Sequence, residues 1–164
     1  MENLLSLLVS LGDRVVGLLP GWVLRRSFPI PKLAKRVAIF AVGTGPYIYT
    51  KAGKPLRFTN LNLVVFNPLP FPVEVRGLKL RVDLGDTYLL TIESHDRMTI
   101  AKRGYERLDL DYDLSDNQAV MIQRPTTPCL NLHVSGPVHF HSRVRDFTVH
   151  MAANTLGFRV PDQS

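Results

Sequence analysis

The sequence has a single cysteine in 164 residues, Cys129. One thiol cannot form a disulfide within the chain, and it excludes a metal site built from several cysteines. A lone cysteine more often packs as a small hydrophobic residue than serves a chemical role, so we expect Cys129 to be buried. The cysteine content therefore supplies neither a disulfide framework nor a metal centre.

Groups of polar residues arranged for catalysis are also lacking. Ser94, His95 and Asp96 are consecutive, and neighbours in an extended chain point apart, so they cannot form a catalytic triad. Residues 43–45 begin a dinucleotide-binding pattern, but Ile48 stands at the third glycine position. We therefore predict that the protein is not an enzyme and has no catalytic residues, no cofactor and no small-molecule substrate.

One acidic run matches a calcium loop only in part. Asp109, Asp111 and Asp113 alternate as the ligands of such a loop do. Leu114, however, stands where the loop needs glycine, and Val120 where it needs glutamate. We interpret the run as the solvated face of a strand.

The histidines also fall short of a metal site. His139 and His141 share one face of a predicted strand, and His133 and His150 lie on strands nearby. A metal pair is conceivable, but no third ligand has an evident spacing, so no metal is predicted. The alternative is an exposed polar face formed by His139, His141, Arg143 and Arg145.

Acidic residues are scarce in the first third of the chain. Up to residue 57, nine lysines and arginines face only Glu2 and Asp13, a net charge of +7. Since the whole chain carries +6, the remaining 107 residues carry −1. An electrostatic partner is therefore expected at the N-terminal third. Nucleic acid is disfavoured, because the aromatic residues there alternate as core residues do and no recognition motif accompanies them.

The first twenty residues predict an amphipathic helix. The polar residues of residues 3–17 fall within an arc of roughly 100° at helical spacing, and leucines and valines fill the rest. Pro20 and Gly21 are expected to end the helix, and Trp22 with a basic flank follows, as at the headgroup level of a bilayer. The residues expected to anchor the chain to a membrane or a partner are Leu4, Leu5, Leu8, Leu11, Val15, Leu18, Leu19, Trp22, Arg25 and Arg26.

Three interpretations of this helix remain open. An in-plane anchor on anionic lipid accommodates the polar arc. A lone transmembrane span would place Asp13 and Arg14 at its centre, at about 2.5–3.5 kcal/mol each, so a span is expected only inside a larger membrane complex. The helix could instead pack on the sandwich or on a partner subunit. Glu2 before the apolar run argues against a cleavable signal peptide, which favours the cytoplasmic face.

The central stretch, residues 61–82, predicts two strands joined by a proline-rich connection. Leu61, Leu63 and Val65 recur with period two, as do the apolar residues of 78–84. Prolines at alternate positions cannot lie inside a hydrogen-bonded ladder, so the chain must cross between strands there. About seven to eight strands at this spacing predict an all-β antiparallel sandwich. The residues that mark the fold are Asn67, Pro68, Pro70, Phe71, Pro72 and Gly77.

We divide the chain into three parts. Residues 1–26 form the helix and basic flank, and residues 37–164 form the sandwich. Between them, residues 27–36 read as a linker that two alternate prolines stiffen into an extended form, holding the helix away from the sandwich. The last strands are expected at 129–135 and 137–151, with a break or bulge at Gly136 and Pro137.

The run LVVFNPLPFPVEVRGLKLRV, with the later ERLDLDYDL, resembles the late embryogenesis abundant group 2 family, also called the water-stress and hypersensitive-response (WHy) domain. The resemblance covers residues 58–160. It implies a sandwich similar to fibronectin type III or immunoglobulin domains, without catalytic residues, found in stress-protective and membrane-associated proteins. The chain departs from the family at residues 116–128, where a longer helical segment is often expected.

Three functions are compatible with these features. The first is a membrane-associated structural or binding module, held to anionic lipid by the N-terminal helix. The second is an accessory or scaffold subunit of a larger membrane complex, whose helix and residues 28–32 clasp a partner. The third is protection in stress or desiccation, which the resemblance alone implies.

Overall fold

The computed structural model describes residues 15–16, 18–42, 47–49, 57–123 and 129–159. The helices that lie wholly in these ranges are α1 (Gly21–Ser27), α2 (Ile30–Arg36) and α3 (Asp116–Gln123), and residues 15, 16 and 18 before Pro20 are also helical. The strands are β1 (Ala38–Val42), β2 (Tyr47–Tyr49), β3 (Arg57–Asn67), β4 (Val73–Leu84), β5 (Thr87–Ser94), β6 (Met98–Ile100), β7 (Gly104–Asp113), β8 (Cys129–Ser142) and β9 (Phe147–Arg159). Cys129 begins β8, but the prediction that its side chain is buried lies outside the described residues.

The strands form two antiparallel sheets. In the first sheet, β3 pairs with β7 along one edge and with β1 and β2 along the other. In the second, β4 pairs with β8 on one edge, β5 and β6 share its other edge, and β9 lies outside β8. The predicted all-β antiparallel sandwich is confirmed, with nine strands in the described part of the chain, where about seven to eight were expected.

The core lies between the sheets, where the alternating residues of the central stretch meet. Leu61, Leu63 and Val65 of β3 are at most 1% exposed, and apolar residues of β4 are buried in the same way. Alternation places the residues between them, such as Val64 and Phe66, on the outer face of the sheet. The period-two pattern therefore predicted the buried face of each central strand correctly.

The reversal between the last two strands lies elsewhere than predicted. β8 runs through Gly136 without a break, with a shift of register between Val134 and Gly136 that marks a bulge. The chain turns at residues 143–146, where the Ser142 hydroxyl accepts hydrogen bonds from the backbone N–H groups of Val144 and Arg145. The predicted strand over 137–151 is wrong, because the bulge extends β8 and this serine-centred turn ends it.

The predicted linker is also different in the structure. Residues 30–36 form α2, which begins after Pro29 and holds Pro31 in its first turn, where a missing N–H group costs no helical hydrogen bond. Leu33 of α2 is completely buried, and Leu24 of α1 is 1% exposed. The expectation that residues 27–36 hold the N-terminal segment away from the sandwich is therefore wrong. Both helices contribute to the core.

Candidate functional site

One end of the sandwich is covered by residues 15–16 and 18–20, α1, α2 and the turn at residues 143–146, and we call this set of residues the helical end. The connection between β3 and β4 lies beneath it. The ring of Phe28, between the two helices, meets that of Phe71 edge to face at 5.2 Å between centroids. Phe28 therefore packs within its own chain, and the expected clasp of a partner by residues 28–32 stays a prediction.

Asn67 ties the connection below the helical end to the second sheet. Its side chain is fully buried, and its Nδ2 donates to the carbonyl oxygens of Phe71 and Ala101, both at 3.0 Å. A third carbonyl, that of Ile100, lies at 3.4 Å, and Oδ1 accepts from the backbone N–H of Leu69 at 3.1 Å. A single amide therefore satisfies backbone groups from two separate segments.

Arginines of the turn hold the N-terminal segment in place. The Nε of Arg25 donates to the carbonyl oxygen of Val144 at 3.3 Å, and a guanidinium nitrogen of Arg145 donates back to the carbonyl of Arg25 at 3.4 Å. Arg143 donates to the carbonyl of Val16 at 2.5 Å. A carbonyl oxygen is a neutral acceptor, so the bonds of Arg25 and Arg145 position their guanidinium groups without removing their charge.

Hydrophobic side chains project from the helical end into solvent. Leu18 is 86% exposed, Trp22 71% and Val15 54%. Their neighbours Val16 and Leu19 pack against the core instead. The apolar residues of this segment therefore divide into one set that attaches the segment to the sandwich and another that has no covering layer. No helix in the described ranges combines the length and the hydropathy needed to span a bilayer.

Cationic groups lie on the same end of the sandwich as these apolar side chains. No aspartate or glutamate occurs in the sequence between Asp13 and Glu74. In the turn, Asp146 lies 2.5 Å from His141, measured from Oδ1 to Nδ1. Lys32 donates to the carbonyl of Ser27 and lies 5.5 Å from the Phe28 ring centroid. The cations of the helical end are Arg25, Arg26, Lys32, Lys35, Arg36, Arg143 and Arg145.

A shallow groove of about 510 Å³ lies beside α2 on the outer face of the second sheet. Arg76, one of its lining residues, is paired with Glu74 at 3.1 Å, and Asp146 brings a second negative charge. The groove therefore has mixed charge, unlike the helical end. Its lining residues are Ile30, Arg76, His139, Phe140, Asp146, Phe147 and Thr148.

The histidines of this outer face bond to side chains of neighbouring residues. The Nδ1 of His139 lies 2.9 Å from the Thr148 hydroxyl, and the Nδ1 of His133 lies 3.0 Å from the Thr155 hydroxyl. Among the residues that the structure describes, no three histidine, cysteine, aspartate or glutamate side chains are grouped so that they could hold a metal ion.

Two charged groups with shifted pKa values lie farther from the helical end. The Nζ of Lys79 is 2.6 Å from an oxygen of Glu93. This hydrogen bond and the attraction between the charges lower the pKa of Glu93 and raise that of Lys79. Both side chains are well exposed, so the pair contributes little to folding.

The residues predicted as anchors are distributed unevenly. Leu4, Leu5, Leu8 and Leu11 lie outside the described residues. Val15, Leu18, Trp22, Arg25 and Arg26 are exposed, whereas Leu19 is partly buried against the core. Of the fold-marking residues, Asn67, Phe71 and Gly77 are buried, Pro68 and Pro70 are half-buried, and Pro72 is exposed.

Sequence reasoning missed the residues that attach the helical end to the sandwich. Arg25 and Arg145 lie 120 positions apart in the chain, so no local pattern connects them. Arg143 and Arg145 were assigned to an exposed strand face, because the position of the turn was misplaced. The wide apolar arc of residues 3–19 was the one available signal that part of the N-terminal region packs on protein.

Comparison with known proteins shows that this chain resembles several solved structures in its fold. No protein-family model matches the sequence, and no curated protein matches it in sequence. The fold resembles the solution structure of a candidate late embryogenesis abundant (LEA) protein, at 14% identity and a TM-score of 0.60, over 95% of this chain and 89% of that one. It also resembles an Arabidopsis thaliana protein, at 10% identity and a TM-score of 0.57, over 77% of this chain and 83% of that one.

A third structure, a structural genomics target, matches at 11% identity with a TM-score of 0.50, over 80% of this chain and 92% of that one. At these sequence identities, structural similarity establishes the fold and does not establish a function. The predicted resemblance to late embryogenesis abundant group 2 proteins is thus confirmed at the level of the fold, and the chain has the β-sandwich that such a protein adopts.

Proposed function

We propose that the protein is a non-catalytic structural or binding module that docks on anionic membrane surfaces through its helical end. The observation that carries the proposal is the pairing of exposed Leu18 and Trp22 with a dense set of cations on one end of the sandwich. Tryptophan beside lysine and arginine is typical of the headgroup region of a bilayer. The cytoplasmic face of the membrane is part of this proposal.

Two free-energy terms support docking. Each lysine or arginine close to an anionic surface contributes about 1 kcal/mol. Insertion of Trp22 and Leu18 adds an apolar term of roughly 25 cal/mol per Å² removed from water. Because the helices are packed on the core, their backbone loses little conformational freedom on binding. Attachment by one rigid end also sets the orientation of the sandwich relative to the bilayer.

Replacing Leu18 and Trp22 together by serine is expected to weaken binding to vesicles of phosphatidylserine and phosphatidylcholine at least tenfold, because about 1.4 kcal/mol of insertion energy corresponds to that factor. Flotation of the full chain measures it. The Tyr88→Ser variant is the matched control, since Tyr88 is half exposed near the opposite end. Equal binding by all three proteins would refute insertion at the helical end.

The wild-type protein supplies its own optical probe, because Trp22 is its only tryptophan. Its fluorescence emission is expected to shift to shorter wavelength when anionic vesicles are added, and lipids brominated near the headgroup should quench it. Unchanged emission, on vesicles that bind the protein in flotation, would show that another surface makes the contact.

The Arg26→Gln/Lys35→Gln double variant tests the electrostatic term. Both side chains are exposed, so folding should be little affected. Binding to anionic vesicles should fall about 30-fold at low salt, at about 1 kcal/mol per charge, and the difference should shrink as salt screens the surface. Arg81→Gln is the control, since Asp83 lies 2.7 Å from that guanidinium. Equal losses in both variants would contradict the proposal.

An accessory subunit of a membrane complex is the second candidate. Exposed Leu18 and Trp22 would then be covered by a partner protein. The two candidates differ in one measurement: docking on lipid requires binding to protein-free anionic vesicles, whereas a subunit would bind its native membranes and leave such vesicles unbound. Protection in stress is a third candidate, supported only by the fold shared with the LEA protein.

A further inference from the structure

The outer face of the first sheet carries an exposed aromatic patch. In β1 the buried residues Ile39 and Ala41 alternate with outward Ala38, Phe40 and Val42. Strand pairing aligns three cross-strand rows on this face. The rows are Ala38, Phe66 and Tyr105, then Phe40, Val64 and Arg107, and then Val42, Asn62 and Asp109. Asn62 is only 2% exposed, so the third row contributes only Val42 and Asp109, at the margin of the patch.

The size of this patch points to a contact with protein. Tyr105 is 70% exposed, Phe40 52% and Phe66 42%, so at about 200 Å² per aromatic side chain these three alone present roughly 300 Å². Contiguous apolar patches of that size or larger on a monomer are often functional. Phenylalanine, tyrosine and arginine are also the residue types enriched in the cores of protein interfaces.

We propose that this aromatic patch is the contact surface of a homodimer, in which two copies pack their first sheets face to face about a two-fold axis that runs along β3. A two-fold contact uses the same surface on both copies, so the surface must complement itself. β3 is the middle strand of the patch. An axis along it exchanges the positions of β1 and β7 between the two copies.

The first two rows match under this operation, whereas the third, which places Val42 opposite Asp109, lies at the margin of the contact. Phe66, on the axis, meets Phe66 of the second copy, and the large Tyr105 faces the small Ala38. Phe40 faces Arg107, whose guanidinium is positioned by Asp109 at 3.0 Å and can stack on an aromatic ring.

The interface is small, so the dimer should be weak. The aromatic groups with Val42, Arg107 and Asp109 cover an area near the low end of specific interfaces, about 1,200 Å² for both copies together. A dissociation constant in the micromolar range is expected. An axis along β3 also makes both helical ends point in the same direction. The dimer does not rest on the proposed membrane docking, since its contacts involve none of the helical-end residues.

Sedimentation equilibrium from micromolar to millimolar protein tests the dimer. The wild-type chain is expected to dimerise over this range, and Phe66→Asp should remain a monomer. Tyr88→Asp, an aromatic replacement of similar exposure on the other sheet, should dimerise like wild type. A wild-type chain that stays monomeric at millimolar concentration would overturn the proposal.

Cross-linking tests the axis itself. In a Cys129→Ser background, Phe66→Cys should form a disulfide-linked dimer on mild oxidation, whereas Tyr88→Cys should not. Equal cross-linking at both positions would overturn the arrangement. If Phe66→Asp leaves the sedimentation of a monomeric protein unchanged but abolishes vesicle flotation, the patch belongs to lipid contact and the dimer is wrong.

Discussion

Replacing Gly136 by alanine is expected to destabilise the protein by about 3–5 kcal/mol, from left-handed backbone strain plus overpacking. Gly136 has a φ of +147° at the bulge of β8. A Cβ atom there would lie 2.2 Å from the carbonyl oxygen of Lys79 and 3.1 Å from the Cα of Leu80. Because these are backbone atoms of the central strand β4, no side-chain rotation can relieve the overlap.

Urea unfolding followed by circular dichroism measures this loss. Two other glycines distinguish backbone strain from crowding around the added Cβ atom. Gly85 has a φ of +57° and open space around its Cα, so Gly85→Ala should cost only the backbone strain, about 1–2 kcal/mol. Gly21 lies in α1, also in open space, and Gly21→Ala should be neutral or slightly stabilising. Similar losses for Gly136→Ala and Gly85→Ala would contradict the role of crowding.

Asn67→Ala is expected to cost about 3–4 kcal/mol, because each buried backbone group left without a partner costs about 1–3 kcal/mol. The change removes the donors to Phe71 and Ala101 and the acceptor for Leu69. Thermal and urea unfolding measure the loss. Asn131→Ala, at an exposed position of β8, is the control and should change the free energy of unfolding little. Equal effects would show that the Asn67 network contributes nothing.

The Asn67→Asp variant adds a dependence on pH. Burial raises the pKa of a carboxyl group above its unfolded value, since the charged form is poorly solvated there. The variant should then be most stable at low pH, where the protonated carboxyl still donates one hydrogen bond, and lose stability as the pH rises through that raised pKa. A flat profile between acidic and neutral pH would contradict the burial of this side chain.

The sheets could be predicted from sequence because their signal is local. Alternation of apolar and polar residues identifies a half-buried strand from a few neighbouring residues, and the strands around residues 61–82 follow it closely. The ends of the strands were harder to predict from sequence. Gly136 and Pro137 are typical of a break between strands. In the structure they form a bulge within β8, because β8 pairs with β4 both before and after them.

The helix at residues 30–36 could not be predicted from its prolines. Alternate prolines suit an extended chain, but Pro29 and Pro31 equally suit the residue before a helix and its first turn. What decides between these is the burial of Leu33 against strands far away in sequence. The helical end could not be predicted either, because the arginines that hold it together come from both ends of the chain.

Burial of Leu24 and Leu33 also changes how docking must be tested. Removal of residues 1–36 would take away part of the core and uncover the ring of Phe71. A truncated protein that failed to float would then be uninformative, and newly exposed apolar surface could even increase its adsorption. Point variants at exposed positions avoid this effect, because they leave the packed side chains in place.

The long hairpin of β8 and β9 extends from the helical end to the opposite end of the sandwich. β9 starts at Phe147, beside the helical end, and continues to Arg159, a path of up to about 40 Å at strand rise. Anything attached after β9 would therefore stand roughly 40 Å from whatever the helical end contacts. The hairpin thus sets the distance between these two points. Energy transfer from a dye attached after Arg159 to dyes in a bilayer would measure that distance and the tilt of the hairpin.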